Sequence, residues 1–283
     1  MTTLFVFRSL SLIALQHLSE HIFFAGSWLL PYLPKPVGRG INTRLCRGEK
    51  ATSPHPAPEF PELEKRIRDF PRENNLQEAV TGYLEGLAAE RGLRRAQGFA
   101  VDMTLDPDTA NPHLILSEDR KHVRYGDTCQ DLPDNPERFG TCPIVLGAEG
   151  FAGGRRYWEV EVGDKTRWAQ GVCREYVSRK GLVTASPGNG YWVVWLRDGG
   201  YKTCTSPMLP LPVSVRPWRV GIFLDYEAGE VSFYNVTDRS LLFTFTDTFS
   251  RTLCPCFCPG LNAEGTNAAS LIICPVSAQA RGN

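Results

Sequence analysis

Two glutamates, Glu159 and Glu161, stand two residues apart in the run YWEVEVGDKTRWAQGV (Tyr157 to Val172). A carboxylate pair is the equipment of a glycosidase, in which one acid protonates the leaving group and the other activates water or attacks. Two residues along an extended strand put the Cα atoms about 6.6 Å apart, which such chemistry tolerates. It also needs an apolar pocket that raises one carboxyl's pKa. Side chains alternate along a strand. Trp158, Val160 and Val162 therefore share the face to be buried, while Glu159 and Glu161 share the other with Tyr157. On a wet face both acids are ionised, so the pair reads as one side of a sheet strand and the GDKT stretch as a hairpin turn.

Other candidate chemistry is equally thin. Cys254, Cys256 and Cys258 alternate and project from one strand face, where three small residues pack well; a metal cluster would need a fourth ligand that the sequence does not supply. No C-x-x-C occurs, and the histidines at 17, 21, 55, 113 and 122 fall outside zinc-ligand spacing. His113 and His122 flank an apolar run and read as surface residues. Neither G-x-S-x-G nor G-x-x-x-x-G-K-[ST] is present. The glycine-rich GAEGFAGG (147–154) joins two β-rich runs and opens no helix, so it reads as a connection and not a phosphate cradle. Asn235 in NVT fits a glycosylation acceptor by pattern, and the residues equally describe a strand ending in a turn.

Composition narrows the partners. Thirty-one basic residues balance thirty-one acidic ones in 283, which argues against nucleic acid and against a polybasic membrane surface. Nine cysteines, an odd number without paired spacing, indicate a reduced, cytoplasmic protein. No cofactor or metal is expected.

The chain divides by character. Residues 1–35 are apolar but interrupted by Arg8, Gln16, His17, Glu20 and His21, which breaks up a membrane span. Prolines at 36, 54, 56, 58 and 61 make the next stretch a linker, so 1–61 reads as a poorly ordered leader. Leu63, Ile67 and Phe70 keep helical spacing up to Pro71, and a second helical stretch carries Leu76, Val80, Tyr83, Leu84 and Leu87, weakened by Gly82 and Gly86. This places a helical segment over 62–100. From Val101 the period changes to short β-rich runs between Gly, Pro, Asn and Asp, the pattern of an all-β sandwich. DYEAGE (225–230) predicts a hairpin in which Gly229 takes positive φ. Trp158 and Trp168, with Phe223, Phe233, Phe243 and Phe245, are expected in the core. Trp192 and Trp195 differ by an odd count and so face opposite ways.

The motifs resemble a known family. MTLDPDTANPHLILSED (103–119) is similar to the PRY segment, and FAGGRRYWEVEVGDKTRWAQGVCRE (151–175), NGYWVVWLRDG (189–199) and RVGIFLDYEAGEVSFYNVTD (219–238) resemble the SPRY core. LCPCFCPGLN (253–262) and SLIICP (270–275) resemble its closing strands. Together they resemble a B30.2 (PRY–SPRY) domain of the tripartite-motif (TRIM) family over roughly 101–276, with PRY at about 101–150 and a tail at 277–283. PELEKRIRDFP (61–71) resembles the end of the TRIM coiled coil. The resemblance implies a curved antiparallel β-sandwich whose loops and sheet face bind a partner protein or peptide, with Leu105 and Pro107 docking PRY onto it. It implies no enzyme activity here, since the zinc-binding pairs of a RING and B-box have no counterpart in residues 1–60. Homodimerisation through the helical segment is weakened because most of the coiled coil has no counterpart.

By the same resemblance Trp195 and the Leu261–Asn262 loop line the binding pocket. Arg197 and Leu261 replace residues that are aromatic in some relatives. Arg167 and Tyr201 complete the expected wall. Two other readings stay open: a portion of a TRIM E3 ubiquitin-protein ligase acting in ubiquitination or innate immune regulation, and a membrane-associated butyrophilin-like tail.

Overall fold

The computed structural model describes residues 73–262 and 265–275. The expected leader and linker, the Leu63–Ile67–Phe70 stripe and the tail lie outside the described residues. One helix, α1 (Glu73–Gln97), precedes twelve described strands: β1 (Leu114–Leu116), β2 (His122–Tyr125), β3 (Val145–Leu146), β4 (Arg155–Glu161), β5 (Trp168–Arg174), β6 (Tyr191–Arg197), β7 (Gly200–Thr203), β8 (Arg219–Asp225), β9 (Glu230–Asn235), β10 (Ser240–Thr246), β11 (Leu253–Cys258) and β12 (Leu271–Ile273). They form two antiparallel sheets, ordered β1-β2-β12-β4-β8-β9-β10 and β3-β11-β5-β6-β7. The all-β sandwich and the preceding helix match the sequence reading. The short strands β2 and β7 were not expected.

The expected GDKT hairpin is absent. β4 and β5 do not pair; they lie in different sheets. GDKT is a corner that carries the chain from one layer to the other, with the Lys165 N–H donating to the Val162 carbonyl. Local alternation on both flanks cannot distinguish a corner from a hairpin, because each strand keeps its own buried face in either case. DYEAGE, by contrast, is the β8–β9 hairpin, and Gly229 has φ 72°, with a Cβ there meeting the Asp247 carbonyl oxygen at 1.9 Å.

The core fills the space between the sheets. Register sets Trp158 opposite Ile222, and Ile222 opposite Phe233. Val160 lies opposite Val220 on the same inner face. From the other layer come Trp168, Val172, Trp192, Leu196 and Phe257, all buried. Phe245 is buried as well, and Phe243 packs edge-on to it at 4.8 Å. Leu105 docks as expected, fully buried and bridged to Gly147, but Pro107 is exposed. His113 and His122 are half-buried, the His122 side chain still 40% exposed, and His113 stacks on Tyr125 at 5.4 Å.

Two residues on the outer face of the seven-stranded sheet depart from expectation. Tyr157 is buried, not solvated, and Phe223 packs beside it and not in the main core. The cause is α1, whose Leu93 and Ala96 close over Tyr157, Tyr234 and Phe223. Tyr83 and Leu87, in the middle of α1, are not on its packed face: they are 65% and 43% exposed. Glu159 and Glu161 are half-buried beside this seam. The Tyr157 hydroxyl and Gln97 Nε2 donate to Glu159 Oε1 at 2.8 and 3.2 Å, and Arg219 bridges both acids at 3.2 and 3.8 Å. Two acids so tied to one guanidinium form a structural clasp, not an acid–base pair.

Candidate ligand pocket on the five-stranded sheet

Strand register builds the site. On the outer face of the five-stranded sheet, Lys202 lies opposite Trp195, Trp195 opposite Ala169, and Ala169 opposite Cys258. Opposite residues share a face, so these four side chains form a row across β7, β6, β5 and β11. Ala169 and Cys258 are small, and the row dips beside the indole. The resulting pocket has a volume of about 210 Å³ and is lined by Trp195, Ala169, Cys258, Arg167, Arg197 and Leu261, together with Pro143, Gly260 and the chain at Trp168 and Leu196. Cys258 is a passive floor, since burial pushes its thiol up to about 12.

Two arginines flank the opening. Arg167 Nη2 donates to Asp198 Oδ1 at 3.0 Å, and Arg197 Nε lies 3.5 Å from the same carboxylate. Asp198 sits in the β6–β7 turn with φ 52°. The Trp195 Nε1–H is buried without a hydrogen-bond partner. A buried donor left unmade carries a penalty of about 1–3 kcal/mol, a cost the fold bears beneath the indole.

Four of the six residues expected at the site, Arg167, Trp195, Arg197 and Leu261, line this pocket. Tyr201 does not: it lies opposite Leu196 on the inner face and meets Trp168 edge-on at 6.1 Å. Asn262 does not line it either; its Oδ1 accepts from the Asn267 N–H at 3.1 Å, inside the supporting loop.

Asn267 is the residue that sequence reasoning missed. It is buried and ties both rims together. Its Oδ1 accepts from the N–H groups of Thr166 and Arg167 at 2.9 and 3.2 Å, and its Nδ2 lies 3.0–3.1 Å from the carbonyls of Arg167, Pro259 and Leu261. Close approach of the rims also explains Gly260, which has φ 73° and would set a Cβ 2.6 Å from the Arg167 carbonyl oxygen. Lys165 supports the same loop from below, donating to the carbonyls of Ala269 and Asn267 at 2.6 and 3.1 Å; burial pulls its ammonium down to about 8. Lone asparagines are common in loops, and nothing local marks Asn267 as a staple. Lys202 was findable once β6 and β7 were known to pair.

Among the described residues no cluster of His, Cys, Asp and Glu is placed to hold a metal ion, and no helix is long and apolar enough to cross a membrane. Asn235 is fully buried, its Nδ2 donating to the Val215 carbonyl at 2.8 Å, so the folded chain does not present it for glycosylation.

The chain is a two-sheet antiparallel sandwich with a pocket on the outer face of its five-stranded sheet. Residues 103–151 match the SPRY-associated (PRY) domain and residues 155–271 the SPRY domain. Mouse erythroid membrane-associated protein is 48% identical over 254 residues, covering 89% of this chain and 43% of that protein. Mouse E3 ubiquitin-protein ligase TRIM21 is 51% identical over 178 residues, 62% of this chain and 38% of that one. The crystal structure of the TRIM65 PSpry domain superposes with a TM-score of 0.56 at 24% identity, over 64% of this chain and 94% of that one. The chain belongs to the PRY–SPRY (B30.2) family, whose domain binds proteins and is not itself catalytic. It spans less than half the length of these two curated relatives.

Proposed function

We propose that this chain is a recognition module that captures a partner protein, or a short peptide of it, in the pocket around Trp195. The observation that carries this reading is the pocket itself: an indole wall, small floor residues and two flanking arginines. Trp and Arg dominate the energetics of protein interfaces, and a buried aromatic in a recess is the usual anchor. The test is capture of partners from cell extract by the full chain and by Trp195→Ala. Trp195 lies on the outer face, outside the main core, so the variant is expected to keep its melting temperature and lose its partners. Retention of every partner by both Trp195→Ala and Arg197→Ala removes this pocket from consideration.

The eight described cysteines form no disulfide, which supports a reducing compartment, and we place the module in the cytoplasm. A second reading rests on the mouse ligase TRIM21: within a longer polypeptide the module would select substrates for ubiquitin transfer. Autoubiquitination by the 283-residue chain alone, supplied with activating and conjugating enzymes, would contradict the division of labour drawn here, in which recognition and catalysis belong to different domains.

A further inference from the structure

We propose that the pocket selects an acidic peptide: an apolar side chain seated over Ala169 and Cys258 against Trp195, with an adjacent Asp or Glu carboxylate held by Lys202, Arg197 and Arg167. This rests on the recognition reading above and specifies what is recognised.

The register carries the argument. Lys202 is the cross-strand neighbour of Trp195 on the pocket face, and Arg197 follows Trp195 by two positions on the same face. Arg167 stands across the opening and shares Asp198 with Arg197. Three cations therefore surround one indole, with one carboxylate among them. The described lining residues include no acid. Among the described residues Lys202 has no ion pair. The excess is local, because the whole chain carries equal numbers of acidic and basic residues. A rim of one sign next to an apolar recess attracts and orients a ligand of the other sign.

The existing pairs leave room for such a ligand. Arg167, Arg197 and Asp198 are all exposed at their side chains, so their contacts are screened and weak. An incoming carboxylate can take an arginine fork in bidentate fashion. A recess of about 210 Å³ holds a side chain or two and not a nucleic-acid strand, whose binding needs a basic track along many phosphates.

The test is selection from a random peptide display library on the full chain, followed by fluorescence anisotropy with the enriched peptides. Expected are sequences with Asp or Glu beside an apolar residue. Their affinity should fall about tenfold with Lys202→Glu or Arg197→Glu, fall with added salt, and vanish with Trp195→Ala. Lys202 and Arg197 are exposed, so melting temperatures should not move. Peptides that need Trp195 but show no acidic bias, and ignore both charge reversals, overturn this inference and leave the pocket reading standing. Peptides indifferent to Trp195→Ala, or no enrichment at all, overturn both. Displacement of the peptides by an equal concentration of a single-stranded oligonucleotide overturns it in favour of a phosphate ligand.

Discussion

The outer faces of the two sheets show the same alternation and meet different fates. On the seven-stranded sheet, Tyr157, Tyr234 and Phe223 point away from the sandwich, and α1 closes over them with Leu93 and Ala96. On the five-stranded sheet, Tyr191, Val193, Cys254 and Cys256 also point away and are also buried. There the cover is chain without regular structure: Arg179, lying on the Phe139 ring at 4.9 Å, stays near enough to Tyr191 and Cys256 to oppose the rise in their pKa. Further along the same face, the row of Trp195, Ala169 and Cys258 borders the pocket. Pointing outward means pointing away from the opposite sheet, not toward water. Whether an outward residue becomes core, clasp or binding surface depends on what is laid over it.

Removing an inner-face side chain should break the molecule more thoroughly than removing one under either cover. Trp158→Ala is expected to lose about 3–5 kcal/mol, read as a drop in the urea midpoint. Trp158 is fully enclosed, between Phe151 at 6.3 Å and the Ile222 register partner. A loss near that of a surface substitution would mean that the sandwich does not close on this residue. Leu93→Ala, under the helical cover, should follow at about 2–3 kcal/mol, because the cluster it joins is small. It should leave ligand capture by the pocket unchanged, since α1 covers the other sheet. Loss of capture in Leu93→Ala would mean that the two outer faces are coupled.

The inner faces were legible in the sequence because burial on one side writes a period of two, and Trp158, Val160, Val162, Trp168 and Phe233 all follow it. Parity set Trp192 and Trp195 on opposite faces, and only the family resemblance assigned Trp195 to the pocket. What the sequence withheld was the third layer. Nothing in WEVEV states that a helix sixty residues upstream will cover Tyr157, and nothing in GDKT states that its flanks part into different sheets. Tyr201 was misplaced for a related reason: parity within β7 has meaning only after the β6–β7 register sets it opposite Leu196. Asn267 was invisible because its work is done by contacts about one hundred residues apart in sequence, to Thr166 and Arg167.

Asn267 holds the rim of the pocket on the five-stranded sheet. Asn267→Ala should cost about 1–2 kcal/mol, the price of several buried backbone groups losing a partner while water partly replaces it. Its larger effect should be on ligand affinity, because Arg167 and Leu261 are held at their spacing through it. Asn267→Asp keeps the acceptor for the Thr166 and Arg167 N–H groups but sets a buried carboxylate oxygen against the carbonyls of Arg167, Pro259 and Leu261, so it should lose more than Asn267→Ala. Equal affinities in all three proteins, measured by anisotropy, would show that the rims hold their places without the staple.

The smallest expected effect tests how dry the helical cover is. Tyr157→Phe removes the hydroxyl that donates to Glu159 and changes no packing, a loss of about 1 kcal/mol near neutral pH. Burial, and then the neighbouring Glu159 charge, raise the Tyr157 pKa well above the ordinary 10.0 of a tyrosine. In the unfolded chain the phenol ionises near pH 10, while in the folded chain it keeps its proton. Above pH 10 the folded state therefore holds more protons at this site, and wild-type stability is lost as pH rises, by up to about 1.4 kcal/mol per unit. The phenylalanine variant has no such loss, and every other titrating group cancels between the two proteins. The wild-type advantage seen in urea midpoints at pH 8 should close near pH 11 and then reverse. A difference that stays constant across that range would mean that Tyr157 ionises in the folded chain as freely as in the unfolded one, and that water reaches the seam beneath α1.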